Sequence, residues 1–322
     1  MAIIGFHASH ELYAPSTLLR YIRRAEQAGF QAVMCSDHFH PWSPCGESGF
    51  SFAWLGAALR ATTLPFGTVC CPSFRYPPAV VAQAAASLGE MFPDRFWLAL
   101  DSGQTMNEHI LGAGWPARPE RQARVLEAAE SIRALWDGAT VSRQGRLGRE
   151  AAQIDSRPEH LPLLFGTALT PETARWVGTW ADGLLTVAAE HRMLRRIVEA
   201  FRERGGEGKP MYLQAAVGYA QEADRAWHLG WERRPVAAWE QNENQNQRLP
   251  EQFLRAVMER GRQALHGTLR VSTDLGQHRA WIENDLDLGF DTLFLHNISG
   301  DQERFIDVFG TEILPDFTGV PL

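Results

Sequence analysis

Apolar positions along this chain change period repeatedly, from short β-compatible runs to stripes at three- and four-residue spacing and back again. Ile3 to Ala8 reads as a strand, and a helix from about Ser16 carries Leu18, Ile22, Ala25 and Ala28 on one face, with Gly29 closing it. Gln31 to Ser36 is the second strand. A helical segment through Arg60, a strand from Phe66 to Cys71, a helix from Pro77 to Glu90 and a strand from Arg95 to Leu100 continue the alternation. Pro119 to Trp136 is a helix with Val125, Leu126, Ala129, Ile132 and Leu135 on one side and Gly138 just past its end. From Ala139 to His160 the pattern is polar and aperiodic, which suits a surface loop or small hairpin. Regularity returns with a strand at Leu163 to Phe165, a helix at Pro171 to Trp180, a strand at Gly183 to Val187, a helix at Arg192 to Arg204 and a strand at Met211 to Gly218. The stretch 221–253 is polar and places Trp227, Trp231 and Trp239 at multiples of four, the spacing of helices packed on something, so it reads as an insertion or lid. A helix at Asp274 to Leu288, a strand at Asp291 to His296 and a final helix from about Asp301 complete the chain.

About eight strands alternating with helices predict an α/β fold, a (β/α)8 TIM barrel with insertions, as one domain over residues 1–322. An internal echo supports it: Ala28-Gly29-Phe30 and Leu288-Gly289-Phe290 each end a helix and lead into a strand. A doubly wound open sheet is the alternative, but no G-x-G-x-x-G follows the first strand.

The chain has 322 residues, 45% hydrophobic and 21% charged, enough for a substantial core. Its net charge of -7 argues against nucleic acid or an anionic membrane as partner and leaves a small-molecule substrate as the better expectation. Met1 to His7 has neither a basic start nor a long apolar run, and no later run would span a bilayer, so a cytoplasmic location is expected. Cys35, Cys45, Cys70 and Cys71 show no C-x-x-C spacing and read as buried free thiols. Lys209 is the single lysine, which makes Schiff-base chemistry a poor fit.

Polar clusters stand where the second and fourth strands end. Asp37, His38, His40 and Trp42 follow the second strand; Asp101, Ser102 and Gly103, then Asn107, Glu108 and His109, follow the fourth. In a parallel barrel both clusters reach the same mouth. They supply an imidazole suited to general-base work, an acid that a dry pocket can keep protonated, and an indole for stacking. His38-x-His40 has a rival reading as a metal pair, completed by His7 and His296, in a barrel hydrolase. Free histidines are commoner at barrel mouths, and no resident metal is expected.

Four motifs in order, Ser36-Asp37-His38-Phe39-His40-Pro41-Trp42, Pro72-Ser73-Phe74-Arg75-Tyr76-Pro77-Pro78-Ala79-Val80, Asn107-Glu108 with Trp115-Pro116, and Asp301-Gln302-Glu303-Arg304-Phe305, resemble the luciferase-like flavin and deazaflavin oxidoreductases. The branch they match best is that of the coenzyme F420-dependent glucose-6-phosphate dehydrogenases. The likeness is strong through about Trp136 and weakens over 221–253. It implies a barrel with the cofactor at its mouth, Asp37 against the ring, His38 as base on a substrate hydroxyl, Trp42 at the reacting centre and Glu108 as acid. It also implies a non-proline cis peptide behind the ring, near Thr68-Val69 or Val69-Cys70. Cofactor contacts are thus expected from Asp37, Thr68, Val69, Cys70, Ser102, Gly103, Asn107, Gly166, Thr167 and Thr170.

Two departures bear on ligand identity. The family's sugar-phosphate lysines are missing, with Glu190 near where one would fall, so glucose 6-phosphate is a poor substrate guess. The Gly-Gly segment for the cofactor phosphate is replaced by Leu169-Thr170, although amides and Thr hydroxyls at that helix start can still take a phosphate. Changes at both places lean toward FMN, with F420 as the alternative. The expected activity is hydride transfer between that ring and a small organic substrate, in a homodimer, as relatives usually are. A reduced-flavin monooxygenase, a metal hydrolase and a non-catalytic ligand-binding barrel are the competing readings.

Overall fold

The computed structural model describes residues 2–112, 114–143, 149–219, 247–260 and 269–318. Its eight barrel strands are β1 (Ile3–Ala8), β2 (Ala32–Ser36), β3 (Phe66–Cys70), β4 (Phe96–Leu100), β5 (Leu163–Thr167), β6 (Gly183–Val187), β7 (Met211–Gly218) and β8 (Thr292–Asn297). Each pairs in parallel with the next, and β8 returns to β1 with Ile3 opposite Thr292, closing the cylinder. Parallel strands need crossovers, and these are helical: α1 (Pro15–Gln27), α2 (Ser51–Ala61), α3 (Pro78–Met91), α4 (Thr105–Glu108), α5 (Arg118–Trp136), α6 (Pro171–Gly178), α7 (His191–Phe201), α8 (Pro250–Arg260), α9 (Leu275–Asp287), α10 (Gln302–Glu312) and α11 (Pro315–Thr318).

Strand alternation creates two cores. Outward-facing residues such as Ile4, Phe6, Val33, Cys35, Phe66 and Leu98 pack against the helices. Inward-facing Ala32, Met34, Trp97, Ala99, Phe165, Leu185 and Phe294, with Val69 and Tyr212, fill the cylinder. Trp97 can lie across the axis only because Gly67 has no side chain: a β-carbon there would sit inside the indole. Phe165 stacks on Tyr212 at 4.4 Å and Trp97 packs tilted against Phe165 at 5.2 Å, so the barrel is solid below its mouth.

The structure adds to the sequence reading at four places. The polar stretch after α5 holds a small hairpin, Val141–Arg143 with Arg149–Ala152. Residues 105–108 form a short helix, α8 rises out of the polar stretch that ends near Phe253, and Arg270–Val271 adds to the edge of β7. Trp227, Trp231 and Trp239 lie outside the described residues. All four cysteines are free, but Cys45 is exposed rather than buried, because it belongs to the loop after β2 and not to a strand.

The expected cis peptide is not found, since every described peptide bond is trans. The trans form is favoured by about 3 to 4 kcal/mol, and β3 keeps an unbroken ladder to β4 from Phe66 to Cys70. No helix among the described residues is long and apolar enough to cross a membrane.

Candidate active site

The site is assembled from the C-terminal ends of the strands, where the chain leaves the ladder and polar side chains first become affordable. Leaving β1, Ser9 donates its hydroxyl to Glu11 Oε2 at 2.7 Å, while Glu11 Oε1 meets His38 Nδ1. Burial alone would push the Glu11 carboxyl up. The charge of His38, its hydrogen bond and the neighbouring His7 and Ser9 outweigh that and hold it well below the usual carboxylate range. An ionised Glu11 accepts from the Nδ1–H of His38, so in the neutral imidazole the lone pair sits on Nε2, directed away from the carboxylate. His38 meets Trp42 edge to face at 4.7 Å, and Trp42 in turn lies 5.7 Å from Phe253 of α8.

Asp37 and Glu108 are joined by Arg75. Arg75 Nη2 donates to Asp37 Oδ2 at 3.0 Å and to the Asp37 carbonyl at 2.6 Å; Nε donates to Glu108 Oε1 at 3.2 Å and the Arg75 amide to Oε2 at 3.1 Å. Ser51 adds a hydroxyl donor to Asp37 at 2.9 Å. All three charged side chains are nearly inaccessible to solvent. Burial pushes the Glu108 carboxyl up, and Arg75 opposes this only in part.

The remaining expected contacts divide sharply. Val69 faces the barrel interior. Thr68 and Cys70 do not: Thr68 receives the Cys35 thiol at 3.5 Å and Cys70 joins the outer core, so strand alternation turns both side chains from the mouth. Gly166 also faces outward, since a β-carbon there would lie 2.6 Å from Val177. Asn107 is buried and occupied, accepting from the Phe39 and His40 amides at 2.8 and 2.9 Å, so it staples one mouth loop to another. Ser102 is half-buried beside Gly103. Gly103 has φ +82° and leaves room for Cys71, Glu108 and Trp115, where a β-carbon would approach Cys71 Sγ to 2.7 Å.

Thr167 donates to Asp101 Oδ2 at 2.6 Å at the end of β5. Thr170 caps α6, accepting from the Thr173 amide at 3.2 Å, and Arg118 reaches the hydroxyls of Thr170 and Thr173. Arg118 has only a distant carboxylate, Glu172 at 3.8 Å, and nearby Trp115 Nε1 and Arg121 Nε are buried without partners among the described residues. A guanidinium with hydroxyl partners at a helix N-terminus, beside unfilled buried donors, fits a phosphate-bearing planar cofactor.

His38 and His40 do not form a metal pair. β2 ends at Ser36, so the strand geometry that would align them is lost, and His40 stacks on His109 at 5.6 Å instead. The rings of His7 and His296 lie 4.2 Å apart, tilted to each other, and Gln214 of β7 reaches both. No group of three metal-ligating side chains occurs among the described residues.

Glu11, Arg75, Arg118 and Phe253 were not among the residues expected from sequence. Glu11 was within reach of the rule used for Asp37, because it follows the end of β1 as Asp37 follows β2. Arg75 lies inside one of the motifs quoted for the resemblance.

The profile of the luciferase-like monooxygenase family matches residues 2–292. An F420-dependent glucose-6-phosphate dehydrogenase of Nakamurella multipartita is 34% identical over 97% of this chain and 95% of its own. An F420-dependent hydroxymycolic acid dehydrogenase of Mycobacterium tuberculosis is 32% identical over 97% and 88%. A solved F420-dependent secondary alcohol dehydrogenase, in complex with an F420-acetone adduct, superposes with a TM-score of 0.88 at 29% identity, covering 96% of this chain and 97% of that one. The FMN expected from the altered phosphate loop finds no support in these relatives. Fold, mouth geometry and similarity along the chain agree: this protein belongs to the luciferase-like monooxygenase family and is an oxidoreductase.

Proposed function

We propose that the chain is an F420-dependent dehydrogenase that interconverts a small uncharged alcohol and its carbonyl compound. The observation that carries this is the pairing of His38 with a buried anionic Glu11 at the same mouth as an Arg75-bound Glu108. Glu11 fixes the proton on Nδ1, so His38 Nε2 takes the substrate hydroxyl proton. Glu108 holds the second exchangeable proton on its carboxyl. Bound F420 supplies the hydride acceptor or donor that neither side chain can provide. Asp37 and Val69 would hold the ring side of the cofactor, and Arg118, Thr170 and Thr173 its phosphate.

Trp42 and Phe253 wall the His38 side with aromatic surface. The only lysine is spent elsewhere: Lys209 Nζ donates to the Gly178 and Ala181 carbonyls at 3.1 and 2.8 Å, just before β7 begins and so at the barrel end opposite His38. Arg75 is already shared by two carboxylates. A phosphorylated sugar would therefore meet no lysine here, whereas the acetone carried by the secondary alcohol dehydrogenase structure has the size and neutrality that suit this wall. The test is direct: titrate the purified protein with F420 and with FMN, following ring fluorescence, and then add a short secondary alcohol or glucose 6-phosphate. Reduction of F420 by the alcohol is expected. Binding of FMN alone, or turnover with the sugar phosphate alone, would overturn the proposal.

A further inference from the structure

Two buried carboxylates, Asp37 after β2 and Glu108 at the end of α4, share one guanidinium. One positive charge does not neutralise two negative ones, so this dry cluster is short of a cation or a proton. The two acids are not equivalent. Asp37 has the shorter contact to Arg75, through its carboxylate at 3.0 Å, and a further donor in Ser51. Among the described residues Glu108 has only Arg75, through Nε and the main-chain amide, both beyond 3.0 Å. The proton the cluster lacks therefore belongs on Glu108.

We propose that Arg75 is a positioning residue of the site: its guanidinium binds the two mouth loops into one unit and sets the charge against which Glu108 takes up and releases its proton. This rests on reading Glu108 as the acid of the site. Groups facing the cluster from neighbouring elements do not duplicate the role. The Cys70 and Cys71 thiols are pushed well up by burial and stay neutral, and burial likewise raises the Tyr76 hydroxyl, which receives Arg75 Nη1 at 3.2 Å. His40, whose charged form is disfavoured first by burial and then by His109, senses Arg75 from the loop after β2, and His10, whose charged form burial disfavours, senses Asp37 from the loop after β1. No second cation contacts Glu108 among the described residues.

The arrangement predicts shifts of opposite sign. Removing the guanidinium should make Glu108 hold its proton to higher pH, by about 1 to 3 pH units, the usual effect of an adjacent opposite charge. Removing the Asp37 charge should do the reverse, because Arg75 would then serve Glu108 alone. The experiment follows the carbonyl stretch of protonated carboxyl groups by infrared difference spectroscopy across pH, on the full chain without cofactor. Glu108→Gln assigns the band. Arg75→Gln should move its titration up and Asp37→Asn should move it down, with Arg75→Lys close to the parent because it keeps the charge. An unmoved band in a folded Arg75→Gln protein would overturn the inference. If that variant does not fold, an Asp37→Asn titration that fails to move down overturns it equally. The same variants assayed with F420 and alcohol separate the two readings. A band that shifts while the pH profile of turnover stays in place would leave Arg75 coupled to Glu108 and refute Glu108 as the acid.

Discussion

Replacing Glu11 by Gln tests whether His38 owes its function to the carboxylate beneath it. The substitution keeps the volume and lets the amide oxygen accept from either Ser9 or His38, but it removes the charge and introduces an NH2 group. In the parent, Glu11 is buried and accepts at both oxygens, so its bond to His38 is of the charged kind, which contributes about 1.5 to 3 kcal/mol against about 0.5 to 1.5 for a neutral one. If the Gln oxygen faces Nδ1, the loss is the difference, roughly 1 to 1.5 kcal/mol, or about tenfold in rate. If the amide nitrogen faces Nδ1, that atom must accept, the proton moves to Nε2, and the base is lost. The penalty then approaches the 10²- to 10⁴-fold typical of general-base catalysis. Steady-state kinetics should show kcat reduced at least about tenfold, with the F420 dissociation constant, read by fluorescence, nearly unchanged. A second measurement uses the sign of the shift. Because the folded protein holds Glu11 below its ordinary range, the pair stabilises the fold above the usual carboxylate pKa of 4.5, and that contribution is lost as pH falls below it. Urea titrations should therefore show the parent more stable than Glu11→Gln at neutral pH and the gap closing on acidification. Unaltered kcat, or a gap that widens toward acid, would refute the assignment.

Four other outcomes follow from the same contacts. His38→Ala should lower turnover far more than F420 affinity, and loss of cofactor with the rate retained at saturation would exclude the base role. Asn107→Ala removes the acceptor for two loop amides and should cost about 2 kcal/mol in chemical denaturation. Gly67→Ala drives a methyl group into Trp97 and should destabilise the barrel by about 1 to 3 kcal/mol or displace the indole, visible as a change in tryptophan fluorescence. Lys209→Met should lower the melting temperature through the loss of two charged hydrogen bonds, about 1.5 to 3 kcal/mol each at most, yet leave alcohol turnover intact.

The barrel was legible in the sequence because each parallel strand is buried on both faces and reads as an uninterrupted apolar run, punctuated by glycine and proline. Ile3–Ala8, Gly183–Val187 and Met211–Gly218 have the bounds expected of them. What the pattern could not carry was the direction of individual side chains at strand ends. Thr68, Cys70 and Gly166 sit in the right strands near the right mouth, and a phase of one residue turns each outward. For Asn107, nothing in the residue type announces that its oxygen will be taken by the amides of residues 39 and 40. Short α4 was missed because four residues cannot display a helical period.

Glu11 and Arg75 show a different kind of blindness. Neither stands out beside the histidines, because a lone acid or arginine in a loop is ordinarily a solvated surface charge. Each becomes informative only when the closed cylinder brings it against a partner from another strand: Glu11 meets His38 across 27 residues, and Arg75 meets Glu108 across 33. Several residues named from motif gather at the mouth, while the groups that compensate their charges come from neighbouring loops and are buried. Buried charge without a partner is costly, so a carboxylate kept below the mouth of this barrel must be matched by a cation or surrender to a proton. Glu11 is held by hydrogen bonds from Ser9 and His38, and Asp37 by Arg75 and Ser51, which leaves Glu108 the least compensated of the three carboxylates. The chemistry of the mouth thus follows from counting charges in a dry place.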